Sequence, residues 1–241
     1  MPIFFAPHIA LNPELPEEEA RHALRVLRLG EGAEVLLADG KGFFYKAVLR
    51  STNPAHCQVT ITERYATAPL WNFRLHIAVA PTKNIDRMEW FCEKATEVGI
   101  DAITFLKCRF SERSEVNTSR LEKILISAMK QSGKATLPSL GRGMTDFSAF
   151  VRQPFDGHKF IAHCREKENL LLARACSPGE NTLILIGPEG DFSPEEIDEA
   201  CGQGFRAVSL GQSRLRTETA AFAACHTVHV ANDIVWQNRK N

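Results

Sequence analysis

Leu183-Ile184-Leu185-Ile186-Gly187-Pro188-Glu189-Gly190-Asp191-Phe192, followed by Ser193-Pro194-Glu195-Glu196, reads as a buried strand, a tight loop and a helix start. Four consecutive apolar residues leave no polar face, as in a strand covered on both sides. Two glycines and a proline then break the extended run. Ser193 is able to cap the helix, Pro194 suits its first position, and Glu196 completes a capping box. Ligands of parallel α/β sheets bind outside the carboxyl ends of strands, in loops of this kind. Glycine lets the backbone approach a ligand or adopt positive φ. The loop is neither GxGxxG nor GxxxxGK[ST], so the common nucleotide fingerprints do not apply. An ordinary strand-to-helix connection has the same pattern, so the chemistry has to be sought in further residues.

Around this stretch the chain alternates strands with helices. Strands are expected at Leu75–Ala80, Ala102–Leu106, Lys159–His163, Leu183–Ile186 and Val208–Leu210. Helices are expected at Ile85–Val98, Thr118–Gln131, Glu168–Ala175, Glu195–Cys201 and Thr219–Trp236. Such alternation implies an α/β fold with a parallel sheet. Residues 1–66 differ. Ile3–Phe5, Glu34–Ala38, Phe43–Leu49 and Cys57–Thr62 read as short strands, and Glu17–Leu29 as a helix. Tight turns between short strands suggest a small β-barrel. Ala66-Thr67-Ala68-Pro69 reads as a linker.

The 241 residues carry 44% hydrophobic and 24% charged side chains, ordinary globular usage. No apolar run is long enough to cross a bilayer, and Met1–Pro7 lacks a signal-peptide layout. Seven scattered cysteines without a CxxC pair fit reduced thiols in the cytoplasm, not a disulfide framework or a zinc cage. Net charge is zero, but Leu106–Arg142 is basic, and Glu180–Phe205 holds seven acidic residues and no Lys or Arg. These are either solvated faces or a polyanion-binding surface set apart from an acidic one.

A second loop, Leu210-Gly211-Gln212-Ser213-Arg214-Leu215-Arg216-Thr217, follows a strand and opens the last helix, with Thr217 a competent cap. Arg216 beside exposed backbone N–H groups is able to hold a carboxylate, a phosphate or a developing anion. Alternatively it pairs with Glu218 or Glu189 for structural reasons. Arg21, Arg25 and Arg28, spaced i, i+4, i+7, would share one helix face. With Lys41, Lys46, Arg109, Arg113 and Lys134 they are the candidate RNA-phosphate contacts, or else solvated charges. His226 and His229 read as packing rather than metal ligands, and no metal is expected.

The chain resembles the RsmE family of 16S ribosomal RNA uracil-N3 methyltransferases, in the SPOUT superfamily. The resemblance rests on His22-Ala23-Leu24-Arg25-Val26-Leu27-Arg28-Leu29-Gly30, Lys94-Ala95-Thr96-Glu97-Val98-Gly99, Gln131-Ser132-Gly133-Lys134, Ile186-Gly187-Pro188-Glu189-Gly190 and Leu215-Arg216-Thr217-Glu218-Thr219-Ala220. Val98 stands where leucine is usual, Lys134 where arginine is usual, and Asp191 where a second glycine is usual. The resemblance implies a PUA-like RNA-binding β-barrel over residues 1–68. It also implies a SPOUT methyltransferase domain over 72–241, with a deep trefoil knot at about 183–220 that no periodicity reveals. S-adenosyl-L-methionine is the implied cofactor, 16S rRNA within the 30S subunit the implied partner, and a homodimer the implied assembly. Carried over by position, Ile186, Gly187 and Gly190 line the adenine and ribose pocket, and Leu210, Gly211, Leu215 and Thr217 complete it. His163, Pro188, Glu189, Arg216 and Thr219 border it. The catalytic candidates are Arg216, Glu218 and Glu189, with the base left open between the carboxylates and Asp191 a third possibility. The Ala-rich run 220–224 suits the subunit interface or, equally, a monomer core. A knotted methyltransferase with another target, such as a ribose 2′-hydroxyl, and a non-catalytic RNA-binding protein are the rival readings.

Overall fold

The computed structural model describes residues 1–165 and 170–238. The chain divides into two compact units, Met1–Trp71 with Ile126–Leu137, and Asn72–Leu125 with Pro138–Asn241.

In the first unit β1 (Ile3–Phe5), β2 (Glu14–Leu15), β3 (Glu34–Ala38), β4 (Phe43–Leu49) and β5 (Cys57–Ala66) form one sheet in the order β1-β3-β4-β5-β2. Only the β1–β3 pair is parallel. The sheet curls around Phe4, Leu15, Val35, Leu37, Tyr45 and Leu49, so alternate strand residues meet in one core. Asp39 holds the β3–β4 turn: its carboxylate accepts from the N–H groups of Lys41 at 2.7 Å and Phe43 at 3.1 Å.

The expected helix over Glu17–Leu29 is shorter and irregular. An α-helix, α1 (Glu17–Arg21), has three glutamates in its first turn, where they complement the helix dipole. It passes directly into a π-helical turn, His22–Val26. The Leu27 N–H donates to the His22 carbonyl, Arg28 turns left-handed at φ 55°, and Leu29 donates back to Ala23. Arg28 therefore lies beyond the helical residues, so Arg21, Arg25 and Arg28 are not carried on one face of a single α-helix. Arg21 also pairs with Glu17.

The end of the helix Thr118–Gln131 belongs to this unit as well. Met129 and Ala135 pack with Ala38 and Phe44, and Lys130 pairs with the largely buried Glu19 at 2.5 Å. Gly133, at φ 67°, reverses the chain after the helix. The Ala135 carbonyl then accepts from Gly42 at 3.0 Å, and Leu137 donates to Gly40 at 2.9 Å.

The second unit contains β6 (Leu75–Val79), α2 (Ile85–Val98), β7 (Ala102–Lys107), α3 (Thr118–Gln131), β8 (Ser139–Asp146) and α4 (Phe147–Val151). There follow β9 (His158–Ala162), β10 (Leu170–Leu171), α5 (Leu172–Ala175), β11 (Thr182–Ile186), α6 (Pro194–Gly202), β12 (Arg206–Ser209) and α7 (Thr217–Asn238). The sheet runs β10-β12-β9-β11-β6-β7-β8, every pair parallel. Every residue of β11 is buried, as its unbroken apolar run requires. Helices α2 and α5 each pack against α7, which also lies against β6 and β11, while α4 packs with α6.

Four elements were not expected: β2, β8, α4 and β10. β8 carries Gly141 and Gly143 and ends the sheet as an edge strand with a register shift, which hides its alternation. Asp146 caps α4 by accepting from Ala149 N–H at 3.0 Å. The helix expected over Glu168–Ala175 is reduced to Leu172–Ala175, because Leu170 and Leu171 pair with β12; residues 168–169 lie outside the described residues. Thr182 joins β11, and α6 extends to Gly202. Among the described residues no helix is long and apolar enough to cross a membrane. Five of the seven thiols are buried, and burial pushes Cys92 up to about 12 and Cys176 to about 11, so these serve packing rather than chemistry.

His76 on β6 gives the fold a pH dependence. Its Nε2 lies 2.9 Å from Thr104 Oγ1 and its ring stands edge-on to Phe150. Burial, aided by Arg74, lowers its pKa from 6.5 to about 4. The folded state thus holds the ring neutral where the unfolded chain would protonate it. The stability this contributes is full above pH 6.5 and is lost as pH falls toward 4, by about 3 kcal/mol in all. Urea unfolding of the native chain and His76→Gln across pH 7.5 to 4 should show the native chain losing that much relative to the variant. Parallel curves would contradict the assignment.

Candidate functional site

Because the strands are parallel and adjacent, the loops after β6, β11, β9 and β12 gather along one edge of the sheet. They comprise residues 80–84, 187–193, 163–165 and 210–216. The predicted residues His163, Ile186, Gly187, Pro188, Glu189, Gly190, Leu210, Gly211, Leu215, Arg216 and Thr217 all lie on three of these loops or at their ends. Glu218 and Thr219 follow in the first turn of α7.

Asp191 clips two of the loops together. It stands at φ 64°, a left-handed conformation that aspartate tolerates better than most residues. Its Oδ2 accepts from Cys164 N–H at 3.0 Å and its Oδ1 from Phe192 N–H at 2.8 Å. Its own N–H donates to Pro188 at 2.9 Å. What this position demands is the left-handed backbone, which explains how aspartate replaces the glycine usual there. From the β9 side, Arg165 Nε donates to the Phe192 carbonyl at 3.0 Å. The capping box forms as read: Ser193 Oγ accepts from Glu196 N–H and the Glu196 carboxylate from Ser193 N–H.

The loop glycines are small for a reason the sequence did not disclose. A Cβ on Gly187 would stand 3.1 Å from the buried Phe192 ring and 3.2 Å from Phe192 N. One on Gly190 would stand 3.1 Å from Phe110 Cβ. Protein, not open space, fills both positions. Gly211, at φ 125°, has nothing within 4 Å of its missing Cβ.

The two candidate carboxylates differ in surroundings. Glu189 is exposed and accepts the Lys83 N–H at 3.0 Å, fixing the loop after β6. Glu218 is 8% exposed; its Oε1 lies 3.8 Å from Arg87 Nε on α2, and its Oε2 is buried with no hydrogen-bond partner among the described residues. Neither carboxylate is paired with Arg216 among the described residues, so the expected alternative of a structural ion pair is not what the fold contains. Arg216 is exposed, and its carbonyl accepts from Ala220 N–H at 2.7 Å. It therefore occupies the boundary position that Thr217 was expected to fill; Thr217 is the first helical residue and is buried.

The predicted RNA contacts differ in what their side chains meet. Lys46 pairs with Glu63 at 2.7 Å. Arg113 donates to the carbonyls of Thr82 at 3.1 Å and Lys83 at 2.6 Å and so braces a loop. Arg109 lies 4.0 Å from Glu195. Arg25, Arg28 and Lys41 are exposed, and Lys134 follows the Gly133 reversal with its N–H on Met129. His229 is a packing residue: its Nε2 lies 2.7 Å from the Gly99 carbonyl and its ring against Phe73. No cluster able to hold a metal ion occurs among the described residues.

A family profile described as RNA methyltransferase domain matches residues 69–229, and one described as RNA methyltransferase PUA domain matches 15–62. The crystal structure of a probable rRNA-methyltransferase from Porphyromonas gingivalis is 40% identical, covers 98% of this chain and 100% of its own, and superposes with TM-score 0.92. A ribosomal RNA small subunit methyltransferase E from Neisseria gonorrhoeae, bound to S-adenosyl methionine, is 29% identical over 95% of this chain and 97% of its own, with TM-score 0.78. The Rickettsia conorii protein named ribosomal RNA small subunit methyltransferase E is 28% identical over 90% of this chain and 89% of its length.

Gly187→Ala should lower stability by about 1–3 kcal/mol through overpacking against Phe192, with a matching loss of S-adenosyl-L-methionine affinity in titration calorimetry. Native melting and native affinity in Gly187→Val would show that the loop does not need this close approach.

Proposed function

This chain belongs to the RNA methyltransferase family, and from that premise we propose that it transfers the methyl group of S-adenosyl-L-methionine to N3 of a uridine in the 16S rRNA of the small ribosomal subunit. The observation that carries the reading is the orphaned oxygen of Glu218, buried in the first turn of α7 beside the exposed Arg216. A buried acceptor without a donor is costly unless a ligand supplies one. Uracil N3–H is such a donor.

The residues present fit the cofactor. Backbone groups and the half-buried Leu210 and Leu215 suit a neutral adenine, and the open space at Gly211 leaves the backbone approachable. Ile186, Gly187, Pro188, Gly190, Thr217 and Thr219 complete the wall, with His163 at the end of β9. When bound, S-adenosyl-L-methionine supplies an electrophilic methyl carbon. The protein's own task is to make N3 nucleophilic and to hold it in line.

Glu218 takes the N3 proton on its orphaned oxygen, and Arg87 holds the other oxygen's side of the carboxylate in place. Loss of that proton spreads negative charge over N3 and the two flanking carbonyl oxygens. The Arg216 guanidinium presents a planar fork to that charge. Glu189 holds the Lys83 loop rather than a proton. No metal enters this scheme. The strand order, with β11 between β6 and β9 and β12 beyond β9, accommodates a knot at about 183–220.

The assembly is a homodimer built on α7. Phe222, His226, Val230 and Ile234 repeat every fourth residue, and Trp90 of α2 stands edge-on to Phe222. Trp90, Val230 and Ile234 are 41%, 40% and 55% exposed, an apolar stripe of the kind that marks an interface. In the alanine run Ala221 and Ala224 are buried inside the unit, so that part of the run serves its own core. The enzyme works in the cytoplasm on the 30S particle.

Transfer of labelled methyl from the cofactor to 30S particles lacking the modification, followed by nucleoside identification, should yield N3-methyluridine. A 2′-O-methylated product would install the alternative target. Arg216→Ala should cut turnover at least tenfold, about 1.4 kcal/mol of barrier, with little change in melting. Arg216→Lys should recover only part of it, and full recovery would refute the planar fork. Val230→Glu should shift light scattering from twice 26.9 kDa toward the single-chain mass. A dimer unaffected by that change, or a native monomer, would contradict the α7 interface.

A further inference from the structure

We propose that the first unit holds a seat for one unpaired nucleotide of the RNA substrate, with Arg64 as its stacking platform and Lys41 as its phosphate contact. The inference rests on the RNA methyltransferase reading above and adds to it a site, a ligand class and named residues.

A cavity of about 200 Å³ opens beside the β3–β4 turn. Asp39, Lys41, Phe43, Tyr45 and Arg64 line it on one side and the chain after β1, including Leu11, on the other. It is smaller than the ~300–1,000 Å³ of a drug-sized ligand site and suits a single base or sugar-phosphate unit. Its walls join apolar surface to cationic heads. The Arg64 guanidinium carbon lies 3.9 Å from the Phe43 ring centroid and 5.7 Å from that of Tyr45. Phe43 thus backs the guanidinium at contact distance, while the arginine as a whole is exposed. A base stacks on such a plane as readily as on an aromatic ring, whatever its identity.

Unmatched charge and a cavity coincide at this place. Among the other cationic side chains of the unit, Arg21 is matched by Glu17, Lys46 by Glu63 and Lys130 by Glu19, while Arg25 and Arg28 are exposed but do not line the cavity. Arg50 donates to Thr60. Lys41 and Arg64 meet no carboxylate through their side chains among the described residues. The one acid in the cavity, Asp39, has its carboxylate occupied by Lys41 N–H, Phe43 N–H and Tyr45 O–H. These bonds set the turn and fix the floor. Unmatched cations over a stacking plane, next to a shallow apolar hollow, select a single strand: a duplex keeps its bases stacked on each other and presents phosphates alone.

The test is anisotropy titration of a labelled 12-nucleotide single-stranded RNA of mixed sequence with the full chain. Alongside it, S-adenosyl-L-methionine affinity and methyl transfer to 30S particles are measured. Arg64→Ala should weaken RNA binding about tenfold, and Arg64→Lys should restore only part of it, because charge returns without the plane. Lys41→Ala should weaken binding and reduce the salt slope by about one. Cofactor affinity should be native in all three. RNA binding unchanged in Arg64→Ala, or fully restored in Arg64→Lys, overturns the seat even where the native chain methylates 30S particles. If the native chain fails to methylate but Arg64→Ala and Arg64→Lys behave as stated, the seat stands and the catalytic reading is what fails.

Discussion

Thr182–Ile186 has no solvent on either face, and a strand in that position must also have a partner on each edge. β6 and β9 are those partners, both parallel to it and in register over its full length. The rest of the second unit depends on this constraint. With every strand running the same way, the loops that matter emerge on one edge of the sheet. The chain segments between them become helices on its faces. The proposed site is the product: three loops from distant parts of the sequence, held by the burial of five residues.

The edge is then fixed by short-range polar contacts. Asp191 joins the loops after β9 and β11 by accepting from Cys164 N–H, holds its own loop by accepting from Phe192 N–H, and Arg165 crosses the same gap to a carbonyl. Glu189, Arg113 and Glu196 each hold backbone of a neighbouring loop. Charged residues near the site thus divide by what their heads touch. Those bound to backbone make the edge rigid. Arg216, exposed, and Glu218, buried with one oxygen lacking a donor, retain the capacity to act on a ligand. A rigid frame carrying a few uncommitted polar groups is what catalysis by positioning requires.

Much of this was legible beforehand. The bounds of α2 and α3 and the five residues of β3 were read to the residue, because apolar periodicity and flanking turn residues agree there. The 187–196 loop and its capping box were equally clear. What escaped had local causes. The glycines of β8 erase alternation on an edge strand, and Leu170–Leu171 pairs as a strand where apolar spacing suggested a helix. The helix expected over Glu17–Leu29 gives way to a π turn at His22–Val26 and a left-handed Arg28, which spacing in the sequence does not disclose. That Phe192 and Phe110 pack against the bare backbone of Gly187 and Gly190 is a tertiary contact that no local pattern discloses. Arg64 carried no motif; only β5 lying beside β4 brings it onto Phe43.

The proposed cofactor site is made of loops at one edge of the parallel sheet. Hydrogen exchange with and without saturating S-adenosyl-L-methionine tests it most directly. Slowed exchange is expected at amides of residues 163–165, 187–192 and 210–219, with the five-stranded unit unchanged. Protection confined to other loops, or none in these three, would contradict it.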